Sequence, residues 1–420
     1  MLFEYYILYA SIYFGLFMAS YFLMGFLEAK SKDPELGRFK DNLPFVSIII
    51  PAYNRKDSIA RTIKPCLELD YPKDRIEIIV VDDGSEDCTY EEALKIKDPR
   101  VRVFKKKNGG KGSALNFGIK KARGEFIASL DADSFVSKYA LKKMLGYFND
   151  DKVMSVTPAL QIYKPKGYWL KLQYAEYAMS IFLRKTFGII DAIHVVPGPF
   201  SIYRASFFKK YGGFDENNIT EDTEMGLRIQ HHHYKIKNSM EATVLTIAPN
   251  NFMALMKQRM RWYYGFTKNA IKYKHLFSTK YGDLGICVLP AAFLSVLFTL
   301  VLFGYFIYKN MQLIFDSISK MLVLNTKIVD AIIHSKPIYI REFFISMLVN
   351  PFIAFTILSA IILAVYVFVA KSKTKEKGNM FSAYIYFLLT YWIIYPLWWL
   401  AVLFYKGILR KKLRWGKKTF

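Results

Sequence analysis

The sequence predicts an α/β domain with a mostly parallel, Rossmann-like sheet, set between transmembrane helices. Two patterns carry that reading. Four apolar stretches, Tyr5–Leu27, Gly285–Tyr308, Ser346–Ala370 and Met380–Tyr405, are each long enough to cross a hydrocarbon core, which takes about 20 residues. Between Lys40 and Pro249 the pattern changes to short apolar runs alternating with amphipathic segments, the signature of strands joined by crossover helices.

Taken in chain order, residues 1–29 form an N-terminal anchor. A cleaved leader is the alternative, but this stretch has no basic leading segment, carries Glu4 and is too long for a leader's apolar core. Lys30 and Lys32 follow at once, so the positive-inside rule puts the N-terminus outside and the domain in the cytosol. Residues 40–250 form the catalytic-type domain, with strands at Val46–Pro51, Ile76–Val81, Val101–Phe104 and Phe126–Leu130. Helices are expected between them at Ser58–Leu69, Glu91–Lys97, Ser113–Ala122 and Tyr139–Phe148. Gly167–Phe187 and Asn251–Phe277 mix aromatics with Lys and Arg and read as helices lying in the membrane interface; residues 251–279 form a unit of their own. Residues 280–420 hold the last three spans, a mixed segment Met311–Arg341 that reads as interfacial or a poor span, and a basic tail Lys406–Phe420. Three spans starting in the cytosol would leave that tail outside, against the charge rule, so the number of crossings stays open.

The chain carries 59 Lys+Arg against 35 Asp+Glu, a formal charge of +24. Such a balance suits anionic headgroups or a diphosphate, and cytosolic flanks of membrane proteins are basic in any case. That ordinary reading outweighs a nucleic-acid partner, since no zinc-finger spacing or RNA-binding signature occurs, and no nucleic acid is expected. The three cysteines, Cys66, Cys88 and Cys287, are odd in number and widely spaced, which indicates reduced thiols and no metal site.

Ligands gather beyond the carboxyl ends of strands in sheets of this type. Four features fall there in order: Pro51-Ala52-Tyr53-Asn54, Asp82-Asp83-Gly84-Ser85, Asn108-Gly109-Gly110-Lys111-Gly112 and Asp131-Ala132-Asp133. Asp131 and Asp133, two apart at a strand end, face the same way if the chain stays extended. Carboxylates there suit a divalent ion such as Mg²⁺ or Mn²⁺ on a diphosphate. Taken singly each feature is more often a turn. The acidic stretch fails as a calcium loop, and Lys105 and Gly112 break the P-loop pattern. Farther on come Gly198-Pro199 with Tyr203-Arg204, then Thr220-Glu221-Asp222, then Gln258-Arg259-Met260-Arg261-Trp262. Asp222 is either a general base or part of a helix N-cap. Trp262 is either a platform for a sugar ring or an interfacial anchor.

The ordered set resembles the membrane-integrated family 2 glycosyltransferases, the group of hyaluronan, chitin, cellulose and poly-N-acetylglucosamine synthases, over Phe45 to Trp262. The resemblance implies a GT-A fold in the cell (plasma) membrane with a cytosolic catalytic domain, and inverting transfer from a UDP-sugar, best N-acetylglucosamine. It implies a divalent cation, Mn²⁺ or Mg²⁺, as cofactor. It further implies nucleotide-sugar contacts from Tyr53, Asp83, Lys111, Asp131 and Asp133, with Asp133 on the metal. Asp222 is the implied base, with Gly198, Glu221, Gln258, Arg261 and Trp262 at the acceptor and diphosphate. A growing polysaccharide or oligosaccharide, secreted through the spans, is the implied acceptor, and a membrane lipid glycosylated once is the alternative. Membrane lipids are partners on either reading. A non-catalytic receptor built on the same frame would be expected to have lost the acids, and Asp83, Asp131, Asp133 and Asp222 are all present.

Three departures stand out. Arg55 occupies the place of an acid that usually follows Tyr-Asn, Val196-Pro197 replaces a Cys before Gly-Pro, and Trp415-Gly416-Lys417-Lys418 only partly matches the hyaluronan-type ending. His231-His232-His233 tempts a metal reading, but adjacent side chains in an extended segment diverge, which favours a solvated or interfacial role.

Overall fold

The computed structural model describes residues 2–28, 34–324, 351–375 and 378–405. Lys30, Lys32, the 346–350 start of the third span, the 325–341 part of the mixed segment and the basic tail lie outside them. The four strands read from the sequence are present as β1 (Val46–Ala52), β2 (Ile76–Asp82), β3 (Val101–Lys105) and β4 (Phe126–Ser129). They pair in parallel, β3-β2-β1-β4, with Ile49 beside Ile79 and Ser129. Every residue of β2 is buried, as a parallel strand covered on both faces requires.

Four further strands extend the sheet: β5 (Ser134–Val136), β6 (Val153–Ile162), β7 (Ser201–Arg204) and β8 (Lys235–Thr246). The full order is β3-β2-β1-β4-β7-β6-β8-β5; β6 and β8 are parallel, whereas β4–β7, β6–β7 and β5–β8 are antiparallel. These four were not read from the sequence; β6, for one, is buried throughout, yet Ser155, Thr157 and Pro158 interrupt it, so it shows neither a continuous apolar run nor alternation.

The expected crossover helices appear as α2 (Ile59–Leu67), α3 (Thr89–Leu94), α4 (Lys111–Lys121) and α5 (Ala140–Leu145). Side chains of β1 alternate between two cores. Ile48 and Ile50 join Ile63, Val80, Leu141 and Phe148 on one face, and Ile49 joins Ile79, Leu115 and Phe207 on the other.

Two helices connect this domain to the apolar ones: α6 (Tyr168–Ile189) and α9 (Phe252–Lys272). Asn251 caps α9 by accepting from the Ala254 N–H at 2.9 Å. On the sheet side α6 packs on β6 and β8. On its other side it meets α1 (Leu2–Glu28), α11 (Pro351–Thr374) and α12 (Met380–Leu403). Phe182 of α6 stacks on Tyr366 of α11, ring centres 4.0 Å apart. Among the described residues four helices are long and apolar enough to cross a membrane: α1, α10 (Leu289–Leu324), α11 and α12. The structure corrects the mixed segment: Met311–Leu324 is the continuation of α10, one unbroken helix, and not a separate interfacial element. Two short helices, α7 (Ala205–Tyr211) and α8 (Glu221–His231), complete the domain.

Candidate active site

A cavity of about 910 Å³ opens at the carboxyl ends of β1, β2 and β4 and runs to the apolar helices. Every residue given a catalytic or binding role from the sequence lines it: Tyr53, Asp83, Lys111, Asp131, Asp133, Gly198, Glu221, Asp222, Gln258, Arg261 and Trp262. Residues 200 positions apart in sequence therefore share one space.

The Gly-rich loop is built around Asp83. Its carboxylate accepts from the Gly110 N–H at 2.7 Å, the Gly109 N–H at 3.1 Å and Lys106 Nζ at 2.8 Å. Gly110 takes φ +90°, a conformation costly for any residue with a Cβ, and directly starts α4. Asp83 thus fixes the loop that aims Lys111, a duty the sequence motif did not disclose.

Lys111 Nζ lies 2.7 Å from Asp131 Oδ1 and 3.2 Å from Glu221 Oε1. Burial disfavours its charge, yet the carboxylates of Asp131, Glu221 and Asp222 outweigh this and hold the ammonium above its ordinary range. Gly198 sits against this cluster. A Cβ there would stand 2.5 Å from Lys111 Nζ and 3.0 Å from Asp131 Oδ1, so a side chain would push the ammonium out of this contact. The Gly198 carbonyl is held by Ser129 Oγ at 2.9 Å.

One expectation is corrected here. Asp131 and Asp133 do not sit on an extended strand: β4 ends at Ser129, and a turn closed by Ser134 N–H on the Asp131 carbonyl at 3.0 Å carries them. Turn chemistry wins over strand continuation, yet both acids still line the cavity. Burial first, and then Asp131, raise the Asp133 carboxyl above its usual range; Arg55 and Lys111 oppose this. Arg55 Nη2 stands 3.3 Å from Asp133 Oδ2. Its backbone is pinned by an N–H bond to Thr89 Oγ1 at 2.6 Å, beside Asn54 in the left-handed region at φ +51°. The residue that departs from the family pattern therefore serves as counter-cation to the second acid.

The residues present fit a divalent ion bound jointly with a diphosphate. Two hard carboxylates crowd each other so that one is driven towards its neutral form, and a cation relieves this. No group of three or more His, Cys, Asp or Glu that would hold an ion unaided occurs among the described residues.

Asp222 is the second residue of α8, whose N-cap is Thr220, so the capping role falls elsewhere. Its Oδ1 accepts from the Thr223 N–H at 2.8 Å. Burial and then Glu221 raise its carboxyl to about 6, against the pull of Lys111, the Thr223 amide and Arg261. A carboxylate poised near neutrality is what a general base needs.

Sequence reasoning missed the membrane-side wall. Arg259, fully buried, pairs with Glu176 Oε2 at 2.7 Å, and Tyr391 of α12 donates to Glu176 Oε1 at 3.2 Å. The Arg259 guanidinium covers the Trp262 ring at 4.2 Å. This network ties α6, α9 and α12 together beneath the cavity. Gln258 Oε1 is buried without a hydrogen-bond partner among the described residues. Arg184 and His194 also line this end. A charged residue inside an aromatic helix was the available signal for Glu176 and Arg184.

The three histidines do not converge on one point: the His231 and His232 rings lie 4.8 Å apart, but each takes a different neighbour. His231 Nδ1 meets His275 Nε2 at 2.8 Å, His232 stacks on Tyr211 at 3.9 Å and His233 on Tyr281 at 4.9 Å. The segment is a helix end and a left-handed turn rather than extended chain, with His233 at φ +57°.

Residues 47–212 match the family described as Glycosyl transferase family 2. The chain is 30% identical over 267 residues to a poly-beta-1,6-N-acetyl-D-glucosamine synthase of Staphylococcus aureus, covering 60% of this chain and 64% of the relative. It is 29% identical over 265 residues to the enzyme of that name from Staphylococcus epidermidis, with the same coverage. The match thus spans just under two thirds of these relatives' length. Among solved structures, the mannosyltransferase PcManGT from Pyrobaculum calidifontis, in complex with GDP-Man and Mn²⁺, superposes with a TM-score of 0.54 at 17% identity. That likeness covers 89% of this chain and 99% of PcManGT, and it shows the shared fold.

Proposed function

Residues 47–212 form a family 2 glycosyltransferase domain, and from that premise we propose that the chain transfers a sugar, best N-acetylglucosamine, from a UDP-sugar to a glycan at the membrane. The observation that carries the proposal is the shared cavity. It places a carboxylate poised near 6, Asp222, in one space with the Lys111–Asp131–Asp133 cluster and the Trp262 ring.

In this mechanism Asp222 accepts the proton of an acceptor hydroxyl as its oxygen attacks the anomeric carbon. The C1–O bond to the diphosphate breaks on the opposite face, so configuration inverts and UDP leaves. Lys111 and Arg261 offset the charge that gathers on the departing phosphates. Asp131 and Asp133 would hold a divalent ion with the diphosphate, and such an ion stabilises the leaving group. Tyr53 and Asp83 border the nucleotide. Gly198 lets the sugar diphosphate approach Lys111, Glu221 keeps that lysine aimed, and Gln258 and Trp262 receive the acceptor ring.

We assign the chain to the cell membrane with its catalytic domain on the cytosolic side, where UDP-sugars are made. Product growth through the spans rests on the relatives' name and on two of the four apolar helices, α10 and α12, lining the cavity. The second reading, a single addition to a membrane lipid, is favoured by Ala292, Ser295 and Val296 of α10 lining the cavity. The deciding test is product size from membranes fed radiolabelled UDP-sugars with Mn²⁺, beside Asp222→Asn. A ladder or polymer from one donor supports glycan synthesis, and one labelled lipid supports the second reading. Full transfer by Asp222→Asn would sink the mechanism.

A further inference from the structure

The membrane-side end of the cavity holds a cation that the mechanism above does not use. Arg184 lines the cavity from α6. Its one hydrogen bond among the described residues runs from Nη2 to Ser180 Oγ at 3.0 Å. A guanidinium offers five N–H donors in a planar fork, so most of them are left to face the cavity. Its neighbours there are apolar or neutral. Leu183, Phe187 and Phe266 share the wall, and burial pulls the His194 imidazole down to about 4, leaving it uncharged near pH 7. Burial lowers Arg184 as well, to about 10, and it keeps its charge. Tyr177 and then Asp222 act on it electrostatically, with no hydrogen bond joining either to it among the described residues. The side chain is partly exposed, so its unused donors are open to a ligand that enters the cavity.

We propose that Arg184 and Ser180 form a subsite for an oxyanion on the acceptor, and that this oxyanion is the phosphate linking the acceptor's first sugar to a lipid. The proposal rests on the sugar-transfer reading and adds the acceptor class. The Arg fork matches phosphate oxygens in pairs. Phosphate on a lipid is favoured over a free anion because Ala292, Ser295 and Val296 line the same end, on a helix apolar enough to cross a membrane. The chemistry is unchanged. A hydroxyl of the lipid-phosphoryl sugar attacks C1, Asp222 takes its proton, the C1–O bond to the diphosphate breaks, and UDP leaves. The phosphate is a handle and forms no bond, so Arg184 acts on the first addition.

The test uses the full chain in nanodiscs with Mn²⁺ and UDP-N-acetylglucosamine. Three acceptors are compared: farnesyl-phosphoryl N-acetylglucosamine, farnesyl N-acetylglucosaminide without the phosphate, and farnesyl glucuronide. The wild type is expected to show a KM for the phosphoryl acceptor about 10- to 100-fold below that of the phosphate-free one. Arg184→Gln should erase that gap with kcat, its pH profile and UDP binding unchanged, and Arg184→Lys should keep part of it. A gap absent from the wild type, or persisting in Arg184→Gln, overturns the subsite. Equal losses with every acceptor and a shifted acid limb overturn it too, showing that Arg184 serves the charge of Asp222 instead. Preference for the glucuronide makes it a carboxylate site and rejects the lipid phosphate. UDP release to water with no acceptor used rejects the subsite while sugar transfer stands. No UDP release from any UDP-sugar removes both.

Discussion

The two ends of the cavity are built on opposite principles. At the strand ends, charges are paired: Lys111 with Asp131 and Glu221, Arg55 with Asp133, Asp83 with two amides and a lysine. At the membrane end, aromatic rings dominate above one buried ion pair, Glu176–Arg259; Arg184 makes a single hydrogen bond, and Gln258 Oε1 lacks a partner among the described residues. Paired charges hold a fixed geometry for one small, highly charged donor, since preorganised polar groups need no rearrangement as charge moves. Rings with spare polar edges accept a ligand whose length and identity vary, because stacking tolerates sliding and the spare groups await partners.

Breaking the junction of the two ends should have the largest effect. Asp222→Asn removes the base and is expected to cut transfer by up to about 10⁴-fold, or ~5.5 kcal/mol at 1.36 kcal/mol per tenfold. UDP affinity, read by calorimetry, should stay within error. Loss of UDP binding in that variant would mean that Asp222 belongs to the donor end.

The wall beneath the acceptor end comes next. Glu176→Leu strands Arg259 without its partner and should lower stability by about 3 kcal/mol or more, the usual result of breaking a buried pair. Thermal unfolding in detergent checks this, and an unshifted midpoint would show that the pair is dispensable. At the donor end, Gly198→Ala forces a methyl into the Lys111–Asp131 contact and should weaken UDP-sugar binding by about 1–3 kcal/mol. Acceptor KM should move less, so parallel changes would contradict the division between the ends.

The pH profile sharpens the same division. A base works only when deprotonated, so kcat/KM should rise with pH through about 6 and level off above it. A limb near the ordinary carboxylate range would show that burial and Glu221 do not act on Asp222 as described. The smallest effect is expected from Arg55→Gln. The Arg55 side chain is nearly half exposed, which weakens its pairing with Asp133. Removing it should tighten binding of Mn²⁺ alone by only about 2- to 5-fold. Looser binding would mean that Arg55 helps to hold the ion's ligands in place.

Much of the donor end was legible from local signals. The β1–β4 strands announced themselves as apolar runs, and Asp83, Gly110 and Asp131 follow them as the short turns that parallel strands require. In β6 the apolar run is broken by Ser155, Thr157 and Pro158 although every residue is buried, and so it was not read as a strand. The strand geometry assumed for Asp131 and Asp133 failed for a related reason: the chain turns at Leu130, and no local pattern separates a last strand residue from a first turn residue.

By itself, then, the sequence determined the class of the domain, the four apolar stretches, and the identity and order of the acids around the donor. Apolar periodicity and turn-forming residues act within a few positions of one another, so they can be read along the chain. Only the tertiary structure decided the pairing of Glu176 with Arg259, the seat of Lys111 between Asp131 and Glu221, and the raised carboxyl of Asp222. Each depends on burial and on partners up to 110 positions away, and Coulomb energy depends on distance through space and on the water excluded between charges, which no linear pattern encodes.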